Sequence, residues 1–211
     1  MRGTLRATLV AITAAAAVTA CSASGEEQDD PVMNQQEATT PAMGDEDDDG
    51  TEVMLVDPDG GEVGTVWLDD DDGALEIEVA AGDLPPGFHG FHLHTIGVCE
   101  PDSPDPTDPA KVGDFLSAGG HLGADAADHA AHQGDLPSLL VDSTGSGRLT
   151  ASTDAVTLEE LMDDDGTAVM VHAGPDNFAN IPERYAPNGP DADTLKTGDS
   201  GDRIACGVVG G

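Results

Sequence analysis

Seven histidines, all beyond residue 88, carry most of the chemical potential of this sequence: His89, His92, His94, His121, His129, His132 and His172. Neutral imidazole is a common transition-metal ligand, and its charge changes near neutral pH. Side chains at i and i+2 of a β-strand share a face, so His92 and His94 can aim two rings at one ion. His89 has the opposite parity to His92 and is assigned an outer-shell place. One His-x-His pair is weak, because any exposed strand can carry it by chance. Its weight comes from the histidines that follow it.

The elements that must position these rings are short strands. Alternating or apolar runs lie at Thr51 to Val56, Glu62 to Leu68, Ala74 to Val79, Gly87 to His94, Pro137 to Asp142, Gly147 to Ser152, Ala168 to His172 and Arg203 to Val209. Asp57-Pro58-Asp59-Gly60-Gly61 and Asp71-Asp72-Gly73 supply hairpin turns, since these residues accept positive φ. Thr157 and Glu160 stand at capping-box spacing for one helical turn. No run is long enough for a helical crossover between parallel strands, so an all-β antiparallel sandwich or barrel is expected. Two long segments have no strand signal, Thr95 to Leu136 and Ala173 to Asp202. Structureless loops of this length are usually functional. Most of the remaining histidines fall in the first of them, which points to a metal holding it in place.

The ends read differently. Residues 1–20 have basic Arg2 and Arg6 before an apolar run too short to span a bilayer, as an export signal does. The run closes with Val18-Thr19-Ala20-Cys21, which resembles the lipobox of bacterial lipoproteins and implies acylation of Cys21 and anchoring to the outer face of the cell membrane. Residues 22–50 hold ten acids and no basic residue, a composition that cannot bury enough surface to offset its ordering entropy. The expected organisation is a signal over 1–20, an acylated acidic tether over 21–50, and a folded domain over 51–211. Cys99 and Cys206 are then an even pair in an exported chain; a disulfide is expected, with two free thiols as the alternative. Across the 211 residues, 42 acids against 7 Lys and Arg give a net charge of −35. That excludes nucleic acid as a partner, which needs clustered cations.

From about Glu52 to Gly210 the sequence resembles the copper/zinc superoxide dismutases, with detail like that of secreted actinobacterial members. The motifs stand in family order: Gly87-Phe88-His89-Gly90-Phe91-His92-Leu93-His94, Ala118-Gly119-Gly120-His121, His132-Gln133-Gly134-Asp135-Leu136, Val171-His172-Ala173, and Gly201-Asp202-Arg203-Ile204-Ala205-Cys206-Gly207-Val208. The resemblance implies an eight-stranded Greek-key barrel or sandwich with two long functional loops. It implies copper on His92, His94, His121 and His172, and zinc on His121, His129, His132 and Asp135, with His121 bridging. Asp176 would link a copper ligand to a zinc ligand from behind. Arg203 would attract the anion, and Lys196 and Thr197 in Leu195-Lys196-Thr197-Gly198-Asp199 would line the channel. The resemblance also makes Cys206 the second half of the disulfide.

The implied reaction is dismutation of superoxide to dioxygen and hydrogen peroxide, protecting the cell exterior, with His121 as ligand and proton carrier. One departure is visible. The segment between His129 and His132 is several residues shorter than in typical relatives, which bears on the zinc site. The rival on the same fold is a non-catalytic copper-binding or copper-buffering surface lipoprotein, and a purely adhesive β-domain has no use for the ordered histidines. A homodimer is compatible with the family, whose dimer contacts differ between branches.

Overall fold

A computed structural model describes residues 50–210. The expected signal, the acylated Cys21 and nearly all of the acidic tether lie outside the described residues. Eleven strands form, written β1 (Thr51–Val56), β2 (Glu62–Asp71), β3 (Ala74–Ala81), β4 (Gly87–His89), β5 (Phe91–His94), β6 (Ser103–Pro104), β7 (Val112–Gly113), β8 (Leu139–Val141), β9 (Gly147–Thr153), β10 (Thr167–His172) and β11 (Arg203–Val209). Two single helical turns, α1 (Leu158–Leu161) and α2 (Thr194–Thr197), interrupt the loops.

Nine strands make one antiparallel sheet in the order β4-β8-β9-β3-β2-β1-β11-β10-β5. Its two edges, β4 and β5, are consecutive halves of one chain segment separated by Gly90 alone. The sheet therefore curls until its edges meet, and an eight-stranded barrel results, with β4 and β5 counted as one. Closure of this kind leaves no long edge to pair with another chain. Alternation sends Val53, Leu55, Val66, Leu68, Ile77, Phe91, Leu93, Leu139, Val169 and Val171 into one buried core. Each such side chain contributes about 1.5–3 kcal/mol by leaving water.

The expected strand Gly87 to His94 is broken at Gly90. The reason is contact: a Cβ at Gly90 would lie 2.6 Å from Ser200 Cβ and 3.0 Å from His92 Cε1. Instead the Gly90 N–H donates to the Gly174 carbonyl and its carbonyl accepts from His172 N–H, both at 2.8 Å. The segment Thr95 to Leu136 also departs from expectation by containing the β6–β7 hairpin and a 3-10 turn at Leu116–Ala118. Two-residue strands leave no periodic signal. Thr157 caps α1, accepting from Glu160 N–H while the Glu160 side chain accepts from Thr157 N–H, as the spacing requires.

The same alternation that buries Phe91 and Leu93 turns His92 and His94 to the outer face of the barrel. Ala168, Met170 and His172 share that face on β10, and the β5–β10 register pairs Met170 with His92 and Ala168 with His94. The loop 95–136 covers this face. It brings a second small core of Phe115, Ala118, Ala168, Met170 and Cys206, with Cys99 packed against it. Cys99 and Cys206 are bridged.

Candidate metal centre

Six of the seven histidines converge on the outer face of β5 and β10, each at least nine-tenths buried. One ring nitrogen from each of His92, His94, His121 and His172 lies within 4.8 Å of the others. Hydrogen bonds decide which nitrogen that is. His94 Nδ1 faces the Gly119 carbonyl at 2.9 Å and His172 Nδ1 the Gly201 carbonyl at 3.0 Å, so each ring donates there and presents Nε2 as a lone pair. Those two Nε2 atoms stand 3.4 Å apart. His92 is turned the other way: Nε2 meets Asp176 Oδ2 at 2.8 Å, and Nδ1 is buried with no hydrogen-bond partner. Opposed lone pairs and an orphaned buried nitrogen repel one another unless a cation joins them. Four imidazole nitrogens suit copper.

A second group, in which ligand atoms of His92, His129, Asp135 and His121 lie within 4.8 Å of one another, overlaps the first at His92 and at His121. His121 Nδ1 lies 3.0 Å from Asp135 Oδ1. His129 Nδ1 lies 2.9 Å and His132 Nδ1 3.2 Å from the same oxygen. The His129 Nδ1 contact lacks hydrogen-bond direction, so the nitrogen and the oxygen point at common space. Three imidazoles and a carboxylate are a zinc donor set. The shortening between His129 and His132 does not separate the ligands. The turn Asp128 to Ala131, closed by a 2.9 Å backbone bond, puts both rings on one side.

Asp176 stands behind both groups. Its carboxylate accepts from His92 Nε2 and, at 2.8 and 2.9 Å, from His129 Nε2, while Phe178 N–H orients it. Such partners fix ring orientation and ligand basicity. His89 lies outside the ligand set. Its ring spans the carbonyls of His172 and Pro85, each at 2.7 Å, and ties β4 to β10.

Burial dominates the electrostatics. It holds His94 and His172 well below the ordinary imidazole value and lowers His92 against the pull of Asp176. Burial likewise lowers His121 to about 4. His129 is the exception: burial lowers it, but the close contact with Asp135, the hydrogen bonds to Asp176 and the charge of both carboxylates outweigh that and raise it to about 9. Burial raises both carboxyls, and their histidine partners overcome it and hold Asp135 and Asp176 below the usual carboxylate range.

Arg203 is half-buried beside the four-histidine group, and its Nη1 and Nη2 donate to the carbonyls of Phe115 and Gly119. Burial lowers it to about 10, opposed by Asp105, so it stays cationic. Lys196 and Thr197 lie exposed on α2. The turn also reaches the histidines: the Leu195 carbonyl accepts from His129 N–H at 2.9 Å.

Sequence reasoning missed Gly198. It caps α2 at φ +58°, and a Cβ there would collide with Asp176 Oδ1 and lie 2.5 Å from His129 Nε2. Its place after Lys196-Thr197 in a short helical turn was the available signal. The Phe115 and Gly119 carbonyls, being backbone, left none.

A family model described as copper/zinc superoxide dismutase (SODC) matches residues 62–209. The superoxide dismutase [Cu-Zn] of Mycolicibacterium paratuberculosis is 49% identical over 161 residues, covering 72% of this chain and 70% of the relative. That of Escherichia coli K12 is 35% identical over 162 residues, covering 71% and 80%. Among solved structures, Cu/Zn superoxide dismutase from Brucella abortus superposes with a TM-score of 0.57 at 31% identity, covering 76% of this chain and 99% of that one. A double mutant of a SOD-like protein from Bacillus subtilis gives 0.60 at 30% identity, covering 76% and 97%.

Proposed function

This chain belongs to the copper/zinc superoxide dismutase family, and from that premise we propose how its buried histidines divide the work of the reaction. Its activity is dismutation of superoxide, with copper and zinc as cofactors. His92, His94, His121 and His172 would hold copper, and His121, His129, His132 and Asp135 would hold zinc. The observation that carries this division is the two-sided placement of His121: it stands among His92, His94 and His172, and its Nδ1 lies 3.0 Å from Asp135 Oδ1, the oxygen that His129 and His132 also approach, while the far nitrogens of His92, His94 and His172 are held by Asp176, Gly119 and Gly201.

Copper, when bound, would supply the one-electron couple needed to oxidise one superoxide to dioxygen and reduce the next to peroxide. The chain supplies the rest. Arg203, fixed by two carbonyls, presents a permanent cation and N–H donors to a small anion. His121 Nε2 would accept a proton when it is not a ligand and return it to the product, with the ring kept in place from its Nδ1 side, where Asp135 and the other zinc-side residues stand. Asp176 and the Gly119 and Gly201 carbonyls hold the other rings, so little reorganisation accompanies electron transfer.

The test is superoxide consumption and metal content before and after His121→Ala. Copper should remain on the other three histidines, and the rate should fall by about a hundredfold or more, the usual size for a positioned proton carrier. Full activity in a copper-free protein, or an unchanged rate in the variant, rejects the division.

We also propose that the chain is exported and held to the outer face of the cell membrane through acylated Cys21, where it protects the cell exterior. The lipobox-like Val18-Thr19-Ala20-Cys21 supports this. A Cys21→Ala variant should leave the membrane fraction; retention there rejects lipidation. Sedimentation of the same material separates a monomer from a homodimer.

A further inference from the structure

We propose that Phe115 is a positioning residue for Arg203: its ring, wedged on the Cys99–Cys206 disulfide, holds its own carbonyl under the guanidinium. The inference rests on the reading of Arg203 as the group that holds the anion.

Phe115 sits at φ +59° and ψ 19°, a left-handed conformation that a bulky side chain rarely adopts. It is 1% exposed. A residue held there persists only where its surroundings over-determine it, and such positions gather at functional sites. Glycine is the residue that enters this region freely, yet this chain places a phenylalanine there. The ring lies in the small outer core with Ala118, Ala168, Met170 and Cys206, against Cys99. That cluster is separate from the barrel core, and the ring is its largest member.

The backbone of the same residue faces the site. Phe115 N–H donates to the Glu100 carbonyl at 2.8 Å, one residue beyond the disulfide. Its carbonyl accepts from Ala118 N–H at 3.1 Å and from Arg203 Nη1. Gly119 accepts from Nη2, and the neighbouring carbonyl contact of His94 Nδ1 is also to Gly119. Two carbonyls four residues apart thus set the plane of the guanidinium fork, and one of them belongs to a residue that would relax to the right-handed region if nothing filled the space of its ring. Relaxation turns the peptide and takes the acceptor away from Nη1. Arg203 stays in the chain and stays charged, but its fork is no longer fixed over the four-histidine group.

The experiment is optical titration of the copper- and zinc-loaded protein with azide, a small monoanion that ligates copper and shifts its visible absorption. Wild type is compared with Arg203→Ala, Phe115→Leu, Phe115→Ala and the Arg203→Ala/Phe115→Ala pair, with metal content and the azide-free copper EPR spectrum recorded for each. Alanine removes the ring and keeps the Cβ that disfavours positive φ. Arg203→Ala should weaken azide about tenfold, the range of one charge-assisted hydrogen bond. Phe115→Ala should weaken it about three- to tenfold with metal content and azide-free spectrum unchanged, Phe115→Leu by less, and the pair no more than Arg203→Ala alone. Should the alanine variant fail to fold, Phe115→Leu carries the test, and azide affinity equal to wild type overturns the proposal. Equal affinity in Phe115→Ala, or losses that multiply in the pair, overturns it too. If Arg203→Ala itself leaves azide unaffected, the role assigned to Arg203 is what fails.

Discussion

Among the histidines proposed as ligands whose values burial and charge displace, His129 alone is raised, so its proton competes with a metal. Its value of about 9 lies above the ordinary 6.5 because Asp135 and Asp176 favour the charged ring more than burial opposes it. In the chelator-stripped chain that charge contributes stability fully below about pH 6.5, and the contribution is lost as pH rises through 9. Zinc must displace the proton. His92, His94 and His172 are lowered by burial, so their rings are neutral and need release nothing. Zinc added alone at neutral pH should therefore release the His129 proton, and copper added alone should release fewer protons per ion than zinc. Titration in weakly buffered indicator solution reads this directly, and equal release by the two metals contradicts it. Zinc affinity should then rise with pH through the neutral range faster than copper affinity does.

The loop 95–136 is bound to the barrel at the element scale by one covalent link, Cys99 to Cys206, across 107 residues of sequence. Closing so long a loop constrains the unfolded chain, and loss of the bridge costs about 2–5 kcal/mol. A Cys99→Ser/Cys206→Ser variant should melt about 5–15 °C lower, at about 2–4 °C per kcal/mol for a chain of this size. Calorimetry on both forms decides it; an unchanged melting temperature would mean the outer core around Phe115 anchors the loop without the bridge. Strands such as β1 and β3 were legible because their burial follows a period of two, and β11 because it is a short apolar run bounded by Gly and Asp. Thr157 and Glu160 announced α1 through side chains that cap its backbone. The β6–β7 hairpin, the break at Gly90 and the carbonyls facing Arg203 were not legible, because they rest on tertiary contact and on backbone atoms that every residue carries. The candidate ligands His92 and His94 could be read as a pair from strand parity. The convergence of His129 and His132 on Asp135 despite the short loop depends on a turn whose direction no spacing rule sets.

Over the whole molecule, charge opposes substrate. Residues 51–211 carry five basic residues, Lys111, Arg148, Arg184, Lys196 and Arg203, and a net charge of −27. Long-range steering of a small anion needs positive potential at the entrance. Here the cation beside the copper ligands is half-buried, and Asp105 acts on it electrostatically, its own carboxyl fixed by Thr107 and Asp108 N–H groups. Lys196 is exposed on α2. The distant field is repulsive and the near field attractive, and salt acts on them unequally. The Debye length shrinks from about 10 Å at 0.1 M to about 3 Å at 1 M, which removes the long-range repulsion while sparing the buried contact between anion and Arg203. The bimolecular rate with superoxide should therefore hold level or rise between those concentrations. Pulse radiolysis across the series measures it, and a steep fall would mean that an attractive potential reaches far beyond the entrance in spite of the acidic surface. A Lys196→Glu variant in the same series separates the two fields: its rate should drop at about 0.1 M and recover toward wild type at about 1 M, because an exposed charge on α2 acts through solvent.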